Sequence, residues 1–442
     1  MATKKSKAKK APAKTAPAKK PRKATSAKPA KPAGRRKTTG ASVLVRMYNV
    51  GFGDAFLIEF PGGPDGVQRV LVDCGSIANP AGHKLEDVVG RIIEDSGGPD
   101  KARIDLVIAT HRHRDHVEGF TDPRWNEVAV REVWMPWTED PKDPKATEIR
   151  ETQAGMAKAL AKTLESRPGA DANPWLGLAL NALTNDVAMS MLHRGFDGKP
   201  TRRFLAVGDK GTAAVDSKVL ENVTVHVLGP SRDPDIIRDM DPPKGKSYLT
   251  QLGEGGTAHE AIDPFDESFW LHPEELRGEE MKPLVVDSKD KAYIAEQSLD
   301  SDSAIAVALE SAVNGTSLVL LFECGDAYLL FAGDAQWGTW NRILQDRDAQ
   351  QLLKRVNFFK VGHHGSHNAT PIEFIEDYFP ANCCAMVSTL VTKRWKNIPR
   401  KPLIDGILKK SKIFARSDKP SDADARQFTA FQQTYIERRV KC

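Results

Sequence analysis

Cysteine is scarce in this sequence, and long apolar runs are missing. Only five of the 442 residues are Cys. They are odd in number, scattered and without a CxxC pair, so a disulfide framework is not expected. No stretch approaches the roughly 18–20 consecutive apolar residues of a membrane span, and no apolar segment follows the charged N-terminus as it does in a secretory signal. These absences predict a protein of the cytoplasm, a reducing compartment, with no membrane partner.

Acidic residues are missing from the first 40 positions. Residues 1–40 contain 12 Lys and 3 Arg, so 49 of the 64 basic residues remain for residues 41–442. That part also holds all 59 acidic residues and carries a net charge of −10. After Met1 the segment has no aromatic or large aliphatic residue, so burial cannot offset the entropy lost on ordering it. We therefore predict that residues 1–40 form a disordered tail.

The charge of this tail points to a partner. A polycation of +15 neutralises phosphates and releases their counterions, so nucleic acid is the predicted partner. Association with the nucleoid is the corresponding location within the cytoplasm. The alternative is a solubilising leader with only incidental affinity for nucleic acid. The rest of the chain is mildly acidic and offers no general electrostatic case for nucleic-acid binding.

Residues 41–442 are predicted to form one domain, with insertions at about 140–215 and 230–300. Three apolar segments joined by short turns, at 42–50, 55–60 and 70–73, predict an antiparallel meander. An antiparallel sheet followed by interspersed helices favours an α+β layered domain. The other predicted elements are helices at 86–96, 145–167 and 174–193, strands at 104–109, 204–207 and 223–228, an irregular insertion at 233–281, and a hairpin formed by 317–322 and 327–331.

The most informative segment is T-H-R-H-R-D-H at 110–116, which follows an apolar strand. Its three imidazoles and one carboxylate, His111, His113, His116 and Asp115, make a poor core and a good ligand set. Zinc and similar divalent ions accept both His nitrogen and carboxylate oxygen. From a loop, His111 and His113 can reach one ion, and Asp115 and His116 can reach a second. A surface loop of mixed charge is the alternative.

Two later segments complement this cluster. One apolar strand ends in Gly333-Asp334, which places a carboxylate at the edge of a sheet. Another, at 358–361, runs into the histidine-rich turn G-H-H-G-S-H at 362–367. Six of the eleven His lie in 110–116 and 362–367, a concentration that structural histidines would not produce. The segments together predict a metal centre.

The order of these motifs resembles that of the metallo-β-lactamase fold superfamily. The motifs are Asp73 with Gly75, the run at 111–116, Gly333-Asp334 and the turn at 363–366. The match is closer to the hydrolase domain of the ComEC competence proteins and its soluble relatives, whose V-G-x-G-D-A motif resembles residues 50–55. The segment 314–319 also resembles theirs. The resemblance covers roughly 41–120 and 300–420. It implies a four-layer αβ/βα sandwich with the metal site at one edge of two facing sheets.

The resemblance also implies ligands for a first metal ion. His111 and His113 would bind it, and Asp73 would orient the ligand loop from behind. A third imidazole is not evident, so this first site is expected to be weak, completed by water, or empty. Where relatives often have His-Pro, this chain has Asn-Ile-Pro at 397–399. His226 is the leading candidate for the third ligand. The weaker candidates are His193, His259 and His272.

For the second ion, the resemblance implies Asp115 and His116, with Asp334 bridging the two metals. His364 or His363 would complete this site, a choice that the sequence leaves open. The expected cofactors are two divalent ions, Zn²⁺ with Mn²⁺ as the alternative. Such a pair supplies a hydroxide near neutral pH and stabilises the leaving oxygen. Asp115, His116 and Asp334 would take part in catalysis.

Three functions fit these features. The first is a metal-dependent nuclease or phosphodiesterase acting on DNA or RNA through the tail and the rim of the active site. The second is a hydrolase of a small ester, lactone or phosphoester. The third is a non-catalytic nucleic-acid-binding module with a degenerate metal site. Trp337 and Trp340 are the leading candidates among the tryptophans for stacking on bases at the mouth of the site, and the alternative is that they are ordinary core or rim residues. The candidate basic rim consists of Lys360, Arg394, Lys396, Arg400 and Lys401, for which an ordinary solvated face is the alternative.

Overall fold

The computed structural model describes most of the chain after the predicted tail. The described ranges are 41–80, 82–165, 185–208, 211–215, 217–240, 242–243, 245–248, 312–392, 397–431 and 433–442. All of them belong to one compact unit, Thr38–Cys442. The predicted tail, most of the predicted insertion at 233–281, and the candidates His259 and His272 lie outside these ranges. None of the described helices is long and apolar enough to cross a membrane.

The first sheet has eight strands within the described residues. In sheet order they are β14 (Thr429–Phe431), β15 (Tyr435–Lys441), β1 (Ser42–Tyr48), β2 (Ala55–Pro61), β3 (Val67–Cys74), β4 (Arg103–Ile108), β5 (Ala129–Pro136) and β6 (Thr201–Leu205). The predicted meander is confirmed, since β1, β2 and β3 pair antiparallel. Strands β3 to β6 pair parallel, and β15 places the C-terminal segment antiparallel to β1.

The second sheet has seven strands within the same residues. In sheet order they are β13 (Phe414–Arg416), β12 (Cys384–Val387), β11 (Phe358–Lys360), β10 (Ala327–Phe331), β9 (Val319–Cys324), β8 (Thr224–Gly229) and β7 (Ala213–Val215). The predicted hairpin is present as β9 and β10, which pair antiparallel. Strands β10 to β13 run parallel, so their carboxyl ends meet at one edge of the sheet.

The two sheets share an apolar core, and helices cover their outer faces. Phe56 of the first sheet packs against Phe331 of the second, with ring centroids 5.6 Å apart, in the cluster between the sheets. A separate cluster joins the first sheet to the helices Leu85–Asp95 and Asp186–Arg194. A third joins the second sheet to the helices Trp337–Gln345, Arg347–Leu353 and Lys401–Lys410. The prediction of layered α and β structure is confirmed at this level.

The remaining helical segments have three to five residues each, apart from one long helix at Pro144–Glu165, which the sequence predicted at 145–167. The helix predicted at 174–193 is described only as Asp186–Arg194, because residues 166–184 lie outside the described ranges. The other segments are Arg114–Val117, Glu118–Thr121, Pro123–Glu127, Trp137–Glu139, Pro234–Arg238, His363–Gly365, Phe374–Tyr378 and Pro420–Asp422.

Several strands were not predicted. β12 has four residues and β13 and β14 have three each, too few to show a period of two. β15 contains Glu437, Arg438 and Arg439, which interrupt its apolar pattern. It forms because seven residues of β1 pair with it, a long-range interaction that local propensity does not encode.

Candidate metal centre

The histidine-rich loop follows β4, and Asp73 fixes its conformation. Asp73, near the end of β3, has a left-handed backbone with a φ of 58°. Its Oδ1 accepts a hydrogen bond from the Thr110 N–H at 2.7 Å, and its Oδ2 accepts one from the Thr110 hydroxyl at 2.8 Å. The same Oδ2 lies 2.8 Å from Nδ1 of His116. This contact leaves Nε2 of His116 as the nitrogen that faces away from Asp73.

Four ligand-type side chains from three strand ends meet beyond Nε2 of His116. This atom lies 3.1 Å from Oδ2 of Asp334 and 4.0 Å from Oδ2 of Asp115, which lies 3.1 Å from Nε2 of His364. All four ligand atoms fall within 4.8 Å of one another, and all four residues are buried. Neighbouring ligands of one ion, each about 2.1 Å from it, are about 3.0–3.4 Å apart. The four side chains, the outer cluster, therefore fit one divalent ion.

His111 and His113 form a pair beside the outer cluster. Nε2 of His111 lies 3.1 Å from Nδ1 of His113, a separation that also fits two ligands of one ion. Nε2 of His113 is buried without a hydrogen-bond partner, which is unusual for an imidazole unless it binds something else. No third acidic, Cys or His ligand atom among the described residues completes this pair within 4.8 Å.

The proposed third ligands lie elsewhere, so those predictions are wrong for the described residues. His226, on β8, places its Nε2 3.0 Å from Oε2 of Glu323 on the neighbouring strand. His193 has its Nε2 4.0 Å from Oε2 of Glu139. Each imidazole is explained by its carboxylate partner, which is the common structural role of a histidine in a sheet or at a helix end.

The structure distinguishes the two histidines of the turn after β11. His364 directs Nε2 to Asp115 and Nδ1 to the carbonyl of Ser388 at 2.9 Å. The ring of His363 lies instead near Asn368, with 3.3 Å between Nδ1 and Oδ1. The φ of His363 is 46° and that of His364 is 53°. Non-glycine residues adopt such a positive φ at a cost of about 1–3 kcal/mol each. His364 is therefore the member of the pair that joins the outer cluster.

Asp54 was missed as a site residue, although it lies in the G-F-G-D turn quoted for the resemblance. It is fully buried, and its backbone N–H donates to the carbonyl of Asp115 at 2.9 Å. Its carboxylate forms an ion pair with Lys360 at the end of β11. The Lys360 ammonium also lies 3.4 Å from Oδ1 of Asp334. In the sequence, Asp54 was indicated only by its position between Gly53 and the apolar strand at 55–60.

Burial corrects two predictions about the rim. Lys360 is 2 % exposed and Arg400 is 7 % exposed, so neither presents its charge freely to a polyanion. Lys401 remains exposed and pairs with Asp405, and Arg394 and Lys396 lie outside the described residues. The candidates for base stacking, Trp337 and Trp340, are both buried, and Trp340 belongs to the apolar cluster under the second sheet. The two tryptophans were placed on the rim because they follow Asp334 closely in the chain. Distance along the chain does not determine the direction of a side chain.

The electrostatics of the site favour bound cations. Burial lowers the pKa of the His113 imidazole to about 4. Burial alone would also lower the pKa of His116, but the carboxylates of Asp334, Asp73 and Asp115 raise it well above its usual value. Burial alone would raise the pKa of Asp115 and of Asp334, but the positive charge of His116 holds both pKa values below the usual range.

The count of buried charges leads to the same conclusion. Four carboxylates, from Asp54, Asp73, Asp115 and Asp334, lie within this region, and none is more than 5 % exposed. The Lys360 ammonium balances one of them, so the net charge is −3 once the imidazoles are neutral, as ligation of a metal ion requires. Buried charges of one sign are costly unless counter-charges accompany them. Divalent ions ligated by the imidazoles would supply that charge.

Comparison of the sequence with protein-family models gave no match, and comparison with curated proteins gave none. A buried set of two imidazoles and two carboxylates, flanked by a second imidazole pair, is chemically suited to zinc or manganese.

Proposed function

We propose that this chain is a metal-dependent hydrolase of the metallo-β-lactamase fold and that it cleaves phosphodiester bonds in DNA or RNA. The observation that carries the proposal is the convergence of Asp115, His116, Asp334 and His364 at one edge of the two sheets. These residues come from the carboxyl ends of strands that are far apart in the chain. The layer order of helices, two facing sheets and helices supports the fold assignment.

The outer cluster and the imidazole pair would have different roles in this site. Asp115, His116, Asp334 and His364 would hold one divalent ion, and the flanking imidazole pair would hold a second, more weakly for want of a third protein ligand. Bound divalent ions supply a Lewis acid for a phosphoryl oxygen and promote ionisation of water near neutral pH. The chain itself contributes the fixed geometry of these ligands, the negative field that retains the ions, and the exclusion of bulk water.

Asp115 has a further role in this proposal. Its Oδ2 is occupied by His364, whereas its Oδ1 is buried without a hydrogen-bond partner. A water that attacks phosphorus can donate a hydrogen bond to Oδ1 and thereby be oriented. Because the pKa of Asp115 is held below its usual range by His116, with burial opposing, the carboxylate is a poor proton acceptor. Its role is orientation of the water and not storage of its proton.

The polymeric substrate is supported by the composition of the tail. Its +15 would hold a polyanion near an otherwise acidic domain and would make binding strongly dependent on salt. One observation favours a second candidate, a small phosphoester or other ester. The burial of Lys360 and Arg400 removes basic groups from the rim, and a small substrate would not need them.

A set of cleavage assays tests the proposal. The protein would be incubated with linear DNA, circular DNA, RNA and bis(p-nitrophenyl) phosphate in the presence of Mn²⁺ or Zn²⁺. Asp115→Asn and Asp334→Asn keep the side-chain shape but remove a charged ligand of the proposed ion, and each is expected to lower the rate at least about a hundredfold, the usual effect of misplacing a reacting group. His226→Ala is the matched control, since this imidazole pairs with Glu323, and it should leave cleavage unchanged.

The results separate the candidates. Polymer cleavage that depends on Asp115 and Asp334 supports the nuclease. Turnover of the small diester alone would favour the second candidate. Cleavage that survives both substitutions would show contamination and reject the proposal. Removal of residues 2–40 should weaken DNA binding and reduce the steepness of its salt dependence, while hydrolysis of the small diester stays the same.

A further inference from the structure

The buried carboxylates of the site belong to two groups that share His116. Asp115 and Asp334 belong to the outer cluster, on the side of Nε2. Asp54 and Asp73 lie on the side of Nδ1, and with His116 they form a second set whose ligand atoms fall within 4.8 Å. By composition, this inner set is also able to hold a metal ion. The question is whether a metal or something else neutralises it.

The ammonium of Lys360 already lies at the inner set. It forms an ion pair with Oδ2 of Asp54, lies 3.4 Å from Oδ1 of Asp334, and donates a hydrogen bond to the Gly333 carbonyl at 3.1 Å. The cavity beside Asp54, Asp73 and Lys360 is closed by the apolar side chains of Phe56, Val72 and Phe331 and has no room for a water molecule. A hydrated divalent ion therefore has no place there while Lys360 holds its position.

The same ammonium determines how Asp334 is presented. Oδ1 of Asp334 is held by Lys360 and by the backbone N–H of His363 at 3.1 Å. Oδ2 faces Nε2 of His116. The carboxylate is thus fixed at one oxygen and offers the other to the outer cluster. Such a fixed orientation is what a tightly bound ion requires of its ligands.

We propose that Lys360 is the resident cation of the inner set, so that this set binds no metal, and that it acts as a positioning residue for Asp334. The inference rests on the metal centre of the proposed function, but not on any catalytic activity. It assigns metal binding to the side of His116 that faces Asp115, Asp334 and His364. It also explains how the inner set is neutralised and occupied when no metal ion is bound.

Stability measurements test the ion pair without any metal. The variants are Lys360→Met, Asp54→Asn and the double variant, unfolded in urea after treatment with EDTA. Each single variant leaves a buried charge without its partner, so each should lower the midpoint of unfolding. The double variant should recover more than half of the loss of Lys360→Met, because it removes both charges together. If Lys360→Met does not fold, Asp54→Asn and the double variant still give the comparison.

Metal binding tests the positioning role. Equilibrium dialysis with Mn²⁺ should give Asp54→Asn the same number of ions per chain as the wild-type protein, because Asp54 is not a ligand. The double variant should keep that number but bind with a dissociation constant roughly tenfold to a hundredfold higher, because Asp334 has lost the group that orients it. The control pair Lys246→Met with Glu373→Gln, a partly exposed ion pair, should change neither quantity appreciably.

Three results would overturn the inference. Loss of one bound ion in Asp54→Asn would show that the inner set is a metal site. A double variant that binds Mn²⁺ as tightly as the wild-type protein would exclude the positioning role. A double variant no more stable than Lys360→Met would exclude the ion pair. Absence of Mn²⁺ from the wild-type protein would reject the proposed function and the positioning role, whereas the stability series would still decide the ion pair.

Discussion

The loop that carries Asp115 and His116 rests directly on Gly75, and we expect Gly75→Ala to move it. A Cβ atom at position 75 would lie 2.5 Å from the backbone carbon of Asp115, 2.5 Å from the backbone nitrogen of His116, and 2.6 Å from the carbonyl oxygen of Arg114. Ordinary contact begins at 3.4 Å, so the ligand turn must shift by about 0.9 Å. The neighbouring atoms belong to the backbone and cannot rotate away.

The size of the effect follows from that shift. Insertion of a methyl group into a packed region costs about 1–3 kcal/mol of unfolding free energy. A displacement of about 1 Å is enough to reduce the function of a preorganised site about a hundredfold. We therefore expect Gly75→Ala to lose about 1–3 kcal/mol of stability in urea and to bind Mn²⁺ roughly tenfold to a hundredfold more weakly.

The matched control is Gly155→Ala. Position 155 lies within the helix Pro144–Glu165, and apart from the backbone of its own helix and its chain neighbours no atom lies within 4 Å of the added Cβ. The same substitution should therefore stabilise the protein by about 0.5–1 kcal/mol, the helical preference of Ala over Gly, and leave Mn²⁺ affinity unchanged. If Gly75→Ala and Gly155→Ala behave alike in urea unfolding and in Mn²⁺ dialysis, the close packing of Gly75 against the ligand turn is refuted.

Three further predictions concern other parts of the chain. Burial alone would lower the pKa of His116, but Asp334 and the other carboxylates raise it above its usual value. Protonated His116 therefore stabilises the metal-free protein fully below about pH 6.5, and this stability is lost as the pH rises through the raised pKa. As the pH rises, the midpoint of urea unfolding in EDTA should fall and the affinity for Mn²⁺ should rise. An affinity that does not change with pH would contradict this prediction. Phe331→Ala should lose about 3–5 kcal/mol of stability in urea, because Phe331 fills the core between the sheets; a loss below about 1 kcal/mol would contradict that packing. The sulfur atoms of Cys324 and Cys442 lie 3.6 Å apart, so diamide should reduce the titratable thiols of the unfolded chain from five to three, and Cys442→Ser should prevent this.

The outer cluster could be anticipated from the sequence because strand ends determine it. An apolar strand followed at once by ligand-type residues occurs at Asp115 and His116, at Asp334, and at His364. Because β10 and β11 are parallel neighbours, Asp334 and His364 are expected at one edge of the second sheet. Their approach to Asp115 and His116, which follow β4 of the first sheet, was expected only from the resemblance. The choice between His363 and His364 was beyond the sequence, since it depends on two consecutive left-handed residues that propensity does not predict.

The positions of the charged and aromatic residues were harder to predict. Lys360 was assigned to the rim because it lies beside the last histidine motif in the chain, although lysine is rarely buried unless it is paired. Its burial depends on Asp54, which lies in the turn before β2 of the other sheet and about 300 positions earlier in the chain. Trp337 and Trp340 were assigned by their distance from Asp334 along the chain, but the helix that begins at Trp337 turns both rings toward the core. Residue type and chain distance together could not determine the direction of these side chains.

Asp54 shows how a short turn can connect the two halves of the site. Its backbone N–H binds the carbonyl of Asp115, and its own carbonyl accepts the N–H of Gly75 at 3.0 Å, so the ligand turn of the first sheet is attached to it. Its carboxylate binds Lys360, which in turn contacts Asp334 on the second sheet. Gly53 allows this approach, since a Cβ there would lie 2.2 Å from the carbonyl oxygen of Gly75. The G-x-G-D pattern is therefore required by packing: the glycine admits the neighbouring backbone, and the acid that follows joins both sheets at the metal centre.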